Sequence, residues 1–455
     1  MKESGKMNLP SSENRHFAFF VYLGIEYRNF FQSGLLEELG TRAKVSLMTY
    51  KKIDVILSEL KDREVSTIFL NPFTFKTRKR NKIESWFLEI RRTILKQRGN
   101  FLFRMIDDTK PLKLKHRIGA NSLFYFIFEM ISWRHNKRDY FDKEIANSIL
   151  DNNVTDIVIQ SYFSAENMLV AITGKALGCK VWVVNWGWKD FYFHEYIPFE
   201  VDGFFTWSND LKLKYLKYNK RLNPNSVFSI GNLSFDQMFN YSPARELEYY
   251  EKKYNFPNDR IIVLYTMVNP IFCEREDLVV ELIYNELKST FGFQNLIFLV
   301  KPNPMDDRNK ENFDLNNFSD IVYLDNLWHY DKANDFNLIT EEGQTEWMDL
   351  LYYSKLNMSV ASTVTVEALI MKKPIINILF GENGEIEKEF ERFFNAPFYE
   401  VCHARPDVIA CRSVMDVSSA ISAIINDEVR VGDIENIINP QGGSINKFIS
   451  EVYSN

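Results

Sequence analysis

Two hydroxyls and a carboxylate lie close together in SVASTVTVEALIMKKPIINI, residues 359–378. An apolar run from Leu356 to Ala361 stops at Ser362-Thr363. A helical pattern then carries Glu367 one turn inside, until Lys372-Lys373-Pro374 ends it. Proline cannot continue a helix, and it pushes the residue before it out of the helical region. The first turn of a helix has unpaired N–H donors and a partial positive charge, so it attracts anions. Ser362 and Thr363 would add hydroxyl donors for phosphate oxygens there. Glu367, four residues after Thr363, shares roughly the same face and would accept from ribose hydroxyls. Plain N-capping by Ser362 is the alternative. A capping box would want Glu or Gln three residues on, and Thr365 is there instead.

Other stretches carry chemistry at strand ends. LIFLVKPNPMDD (296–307) presents Lys301 and Asn303 among prolines that fix φ. A lysine ammonium is a compact charge suited to phosphate, and asparagine both donates and accepts. The alternative is a proline-terminated strand with a surface lysine. IVLYTMVNP ends in Asn269-Pro270, and SIGNLSFD (229–236) offers a Gly-Asn turn suited to a crossing between domains. In the first half, the loop after KVWVVNW (180–186) holds Asp190, His194 and Glu195. Each is a candidate general base for an attacking hydroxyl. Asp190 comes first because it is nearest the turn, and His194, which titrates near neutrality, second. A packed or solvated place in an aromatic loop is the rival reading. Trp186 and Trp188 would stack on a ligand or pack in the core.

Short apolar runs must carry these residues: 17–24, 66–72, 156–161, 180–186, 203–208 and 227–231, then 260–267, 296–302, 321–325, 356–362 and 374–379. Helical periodicity falls between them, at 54–60, 167–177, 278–287 and 417–425. Strands apolar throughout and alternating with helices imply parallel sheets covered on both faces. The expected architecture is α/β, with two Rossmann-like domains facing across a cleft. Residues 1–235 would form the first domain, with a helical insertion at about 76–150, and 236–455 the second. In such sheets ligands sit beyond the carboxyl ends of the strands.

Composition sets limits. A chain of 455 residues is long for one core. A net charge of −6 gives no support for a nucleic-acid partner. Four scattered cysteines lack redox or metal spacing, which points to a reducing compartment. The polar start MKESGKMNLPSSENRH has no apolar signal core, so the cytoplasm is expected. Basic residues crowd 76–117, and SLFYFIFEMISW (122–133) follows. The segment 76–133 reads as a helical hairpin with a solvated basic face, or as a patch resting on the anionic inner face of a membrane. The histidines show no metal spacing, Asp306-Asp307 reads as a solvated loop, and no metal or cofactor is expected.

The order "IGN…D", "KPNP", "STVTVEAL…KKP" and "QGGSINKFI" (441–449) resembles the C-terminal halves of GT-B-fold enzymes of bacterial surface carbohydrate synthesis. These include capsule glycosyltransferases and CDP-glycerol glycerophosphotransferases, with nucleotide-sugar 2-epimerases more distant. The resemblance covers roughly 154–449. It implies that Ser362, Thr363, Lys301, Asn303, Glu367 and Asn269 bind a nucleotide-activated donor. A glycan or lipid-linked glycan would be the acceptor. Two departures count against glycerophosphate transfer. The glycerophosphotransferases' "WHGT" turn corresponds here to NWGWKDF (185–191), without histidine, and Asn303 replaces the histidine of "KPHP". Sugar transfer is therefore the first expectation. Glycerophosphate transfer, epimerisation and a non-catalytic sugar-binding subunit are the alternatives.

Overall fold

The computed structural model describes residues 15–63, 65–72, 74, 130, 140–193, 197–269, 272–293, 295–303, 321–324, 327–331, 336–439 and 441–455. The chain divides into two compact units, Met1–Leu233 with Ile438–Asn455, and Ser234–Ile437. Each is built on one parallel sheet.

The first unit holds β1 (His16–Phe20), β2 (Lys44–Thr49), β3 (Ser66–Phe69), β4 (Asp156–Ile159), β5 (Lys180–Val184), β6 (Gly203–Thr206) and β7 (Val227–Ser229), in the order β3-β2-β1-β4-β5-β6-β7. The order runs outward both ways from β1 and β4, so the topology switches direction there. β4 is buried at all four residues, as a strand covered on both faces must be. The helix Ala165–Leu177 begins where the Ser164 hydroxyl accepts from the Asn167 amide, and stops at Gly178, whose φ is 94°.

The second unit holds β8 (Ile261–Thr266), β9 (Leu296–Lys301), β10 (Ile321–Tyr323), β13 (Leu356–Ser359), β14 (Ile375–Ile378) and β15 (Val408–Cys411), in the order β10-β9-β8-β13-β14-β15. β11 (Trp328–Asp331) and β12 (Phe336–Ile339) form a separate antiparallel ribbon. The switch falls between β8 and β13. One face of this sheet packs Val263, Tyr265, Phe298, Val300, Met358 and Ile376 under the helices Glu276–Phe291 and Val414–Ile425. The other face turns polar at the carboxyl edge. Thr266 pairs in register with Lys301, Ser359 pairs with Asn377, and Asn357 Nδ2 donates to Thr266 Oγ1 at 2.8 Å.

The expected runs emerge as strands, and β2, β11, β12 and β15 are additional. β2 escapes a hydrophobicity reading because Ser46 sits in its middle. That hydroxyl is fully buried and meets His16 Nε2 and Ser66 Oγ, each at 2.6 Å. Residues 438–455, counted with the second domain from sequence, group with the first unit. The helix Ser444–Ser454 buries Phe448, Ile449 and Val452 there, with Phe448 4.8 Å from Phe205. Arg15 bonds Asp156 and the Val452 carbonyl while lying over the Phe17 and Tyr453 rings. Of the proposed membrane patch 76–133, all but Met130 lies outside the described residues. Among the described residues no helix is long and apolar enough to cross a membrane.

Candidate functional site

The carboxyl edge of the second sheet collects the predicted donor residues. Asn269 follows β8, Lys301 ends β9, and Ser362-Thr363 link β13 to the helix Val364–Ile370. β8 and β13 flank the switch point, which is where open α/β sheets bind ligands. The helix stops as expected: Lys372 takes φ 59° and Pro374 follows. Its N-cap position is Thr363, not Ser362, and no side chain caps it. Neither hydroxyl makes a hydrogen bond among the described residues, so capping is not their task. Both residues are half-buried.

Lys301 and Glu367 are buried, each 6% exposed, and one residue connects them. Trp347, on the helix Glu341–Tyr353, donates its indole N–H to Glu367 Oε2 at 2.8 Å. The Lys301 ammonium lies 5.0 Å from its ring centroid. An ammonium over an indole face is attracted by the ring quadrupole. Asn303 Nδ2 reaches the Met267 carbonyl at 3.4 Å, tying the loop after β9 to the loop after β8. That second loop is pinned by Glu276, which accepts from the Val268 amide at 2.8 Å and the Tyr265 hydroxyl at 2.9 Å. Thr365 points inward, its hydroxyl 2.6 Å from Tyr399, which in turn donates to Asn377.

In the first unit, Asp190 opens the short helix Asp190–Phe193 beyond β5. Its Oδ2 accepts from the Gly187 amide at 2.6 Å. Burial pushes its carboxyl up to about 7, against the opposing pull of that amide. A carboxyl at that value can be protonated or charged near neutrality, as a general base must. The turn is fixed from behind: Asn185 Nδ2 bonds the Gly187 carbonyl and Asn185 Oδ1 accepts from Tyr215 at 2.6 Å. Trp188 is core, 4% exposed, while half-buried Trp186 stacks on Phe163. His194 and Glu195 lie outside the described residues.

Sequence reasoning missed Glu26, Trp347 and Glu276. Glu26 is fully buried beside the first switch point, where Oε2 accepts from the Tyr22 and Leu23 amides at 2.9 and 3.1 Å. Asn167 Nδ2 approaches its other oxygen at 3.4 Å, from the first turn of the helix after β4. Burial pushes this carboxyl too up to about 7. The signal was present: Glu26 lies in the first turn of the helix that follows β1, as Glu276 does in the helix that follows β8. Trp347 gave none, being one aromatic among many on a buried helix.

No protein-family model matches the chain, and no curated protein does. Solved structures do. The UDP-GlcNAc 2-epimerase from Methanocaldococcus jannaschii superposes with a TM-score of 0.54 at 14% identity, over 97% of this chain and 100% of that one. The UDP-GlcNAc 2-epimerase from Neisseria meningitidis, solved bound to UDP-GlcNAc, gives 0.53 at 12% identity over 97% and 100%. A glycosyltransferase from Rickettsia africae ESF-5 gives 0.52 at 15% over 97% and 98%. At such identities the likeness is one of fold. The chain thus has two parallel-sheet α/β domains of the GT-B type.

Proposed function

We infer that the protein is an enzyme acting on a nucleotide-activated sugar, and that it transfers the sugar to a hydroxyl of a glycan or lipid-linked glycan in bacterial surface polysaccharide synthesis. The observation carrying this reading is the second unit's switch point. There the uncapped hydroxyls of Ser362 and Thr363 share one sheet edge with the Lys301 ammonium and the Glu367 carboxylate. Lys301 and the two hydroxyls would stabilise the departing nucleotide phosphate, with Asn303 and Asn269 lining the same edge. Glu367 would accept from ribose hydroxyls. Asp190 would take the proton from the attacking hydroxyl as the bond to the anomeric carbon forms and the bond to the phosphate oxygen breaks. His194 and Glu195 remain proposed members of the same acceptor loop. Contact of 76–133 with the inner membrane face is likewise a proposal.

A second reading is epimerisation of the nucleotide sugar itself. Two groups in the first unit favour it, because Glu26 and Asp190 both titrate near 7. Moving a proton off and back onto a sugar carbon needs groups of that kind. Glycerophosphate transfer ranks below both, since the turn after β5 carries no histidine at 185–191 and Asn303 occupies the other histidine's place.

One experiment separates these readings. The protein is titrated with UDP-, GDP-, CDP- and dTDP-sugars and CDP-glycerol, and the bound donor is incubated with and without acceptor glycan. Transfer predicts consumption only with acceptor, whereas epimerisation predicts an isomeric nucleotide sugar without it. Absence of binding to every donor overturns the proposal.

A further inference from the structure

The contact between Lys301 and Glu367 runs through a side chain to which neither the motifs nor the fold assign a task. The Trp347 ring face receives the ammonium at 5.0 Å and its edge N–H reaches the carboxylate at 2.8 Å. The indole is 6% exposed, so its contacts are with protein. Its helix is fixed from the far side. Asp349 accepts from the Tyr241 and Tyr250 hydroxyls, both at 2.6 Å, and from the Ala244 amide at 2.9 Å. Glu346 pairs with Lys253 at 2.5 Å and accepts from Tyr254. Thr340 caps the helix through the Gly343 amide. The bonds of Asp349 and Glu346 tie the helix to the segment 241–254. Trp347 therefore stands on a supported helix, and two long, buried side chains are set against it.

We propose that Trp347 is a positioning residue that holds Lys301 and Glu367 at one fixed separation, making the edge selective for a ligand carrying a phosphate anion and a hydroxyl donor together, as a nucleoside diphosphate does. This deepens the nucleotide-sugar reading and rests on it. The indole N–H fixes one oxygen of Glu367 and so the plane of the carboxylate. The ring holds the ammonium near the sheet edge. A phenylalanine at 347 would keep the second effect and lose the first, which makes the two separable.

The test uses the full chain. UDP, GDP, CDP and dTDP are titrated into the wild type, and the tightest is carried forward. Trp347→Phe is expected to weaken it about tenfold with an unchanged melting temperature, the cost of one hydrogen bond to a charged group. Glu367→Gln should weaken it similarly, and the double variant should be no weaker than the worse single, because both remove one arrangement. Trp347→Leu, which removes the ring as well, should weaken binding further. If Trp347→Phe binds as the wild type does, or if its effect simply adds to that of Glu367→Gln, the positioning role is overturned while the nucleotide site stands. If the wild type binds none of the four nucleotides, the nucleotide reading falls and this inference falls with it. Trp347→Phe leaves the core filled, so the outcome stands even where Trp347→Leu does not fold.

Discussion

The carboxyl edges of the two sheets are built alike and charged differently. In each unit the strand order reverses beside the first strand, and the loop after that strand is pinned by a buried glutamate, Glu26 in one and Glu276 in the other. Beyond that shared frame they part. The first edge holds two carboxyls, Glu26 and Asp190, whose burial raises both to about 7, held by backbone amides and a side-chain amide. The second holds an ammonium, two uncapped hydroxyls and a carboxylate fixed by an indole. The first is suited to exchanging a proton near neutrality and the second to holding an anion. On the function proposed above, one framework would host two chemistries through the residues at its strand ends.

Substitutions on either side should break this division or sharpen it. The largest effect is expected from Asp190→Asn, which should lower turnover by about 10²–10⁴-fold, the range for loss of a general base. Donor affinity, measured by titration, should stay within about twofold. Lys301→Met should do the reverse, weakening nucleotide binding by about 10- to 100-fold, the worth of a hydrogen bond to a charged group. A Lys301 variant that bound normally but turned over slowly would erase the division.

The pH dependence should show a subtler effect. Turnover by an ionised Asp190 should rise as pH passes about 7 and then level off. Stability should run the other way. Both carboxyls bind their proton more tightly folded than unfolded. The stabilisation is therefore complete below the ordinary values of 3.8 and 4.5 and is lost as pH rises through about 7. Glu26→Gln should flatten the fall in melting temperature over that window, and an unchanged slope would remove Glu26 from this account. The smallest effect is expected from Gly187→Ala. An added Cβ would sit 3.1 Å from Asp190 Oδ1. A loss of about 1 kcal/mol in denaturant unfolding, typical of point variants, is expected.

Most of the frame was legible because buried parallel strands spell themselves out as apolar runs. Runs such as 296–302 and 356–362 leave little choice of structure. Ser362, Thr363, Lys301 and Asn303 were legible because each interrupts such a run at its end, where polar groups have a reason to be. What stayed hidden depended on distance along the chain. Ser46 looked like a break in a strand until His16 and Ser66 supplied its partners. Trp347 acquires meaning only beside residues 301 and 367. Residues 438–455 follow the second unit in sequence, and nothing local reveals that Phe448 belongs beside Phe205.

That last pairing bears on how the molecule comes into being. Arg15 stands at the start of the first sheet and clasps the carbonyl of Val452. Val452 follows the whole of Ser234–Ile437 in the chain, so this closing contact can form only after that unit has been synthesised. The unit begun first is consequently completed last, after the whole of the other has emerged. A fragment cut after Leu233 would leave the place of Phe448 beside Phe205 uncovered, so separate expression of that half calls for the tail to be grafted back on.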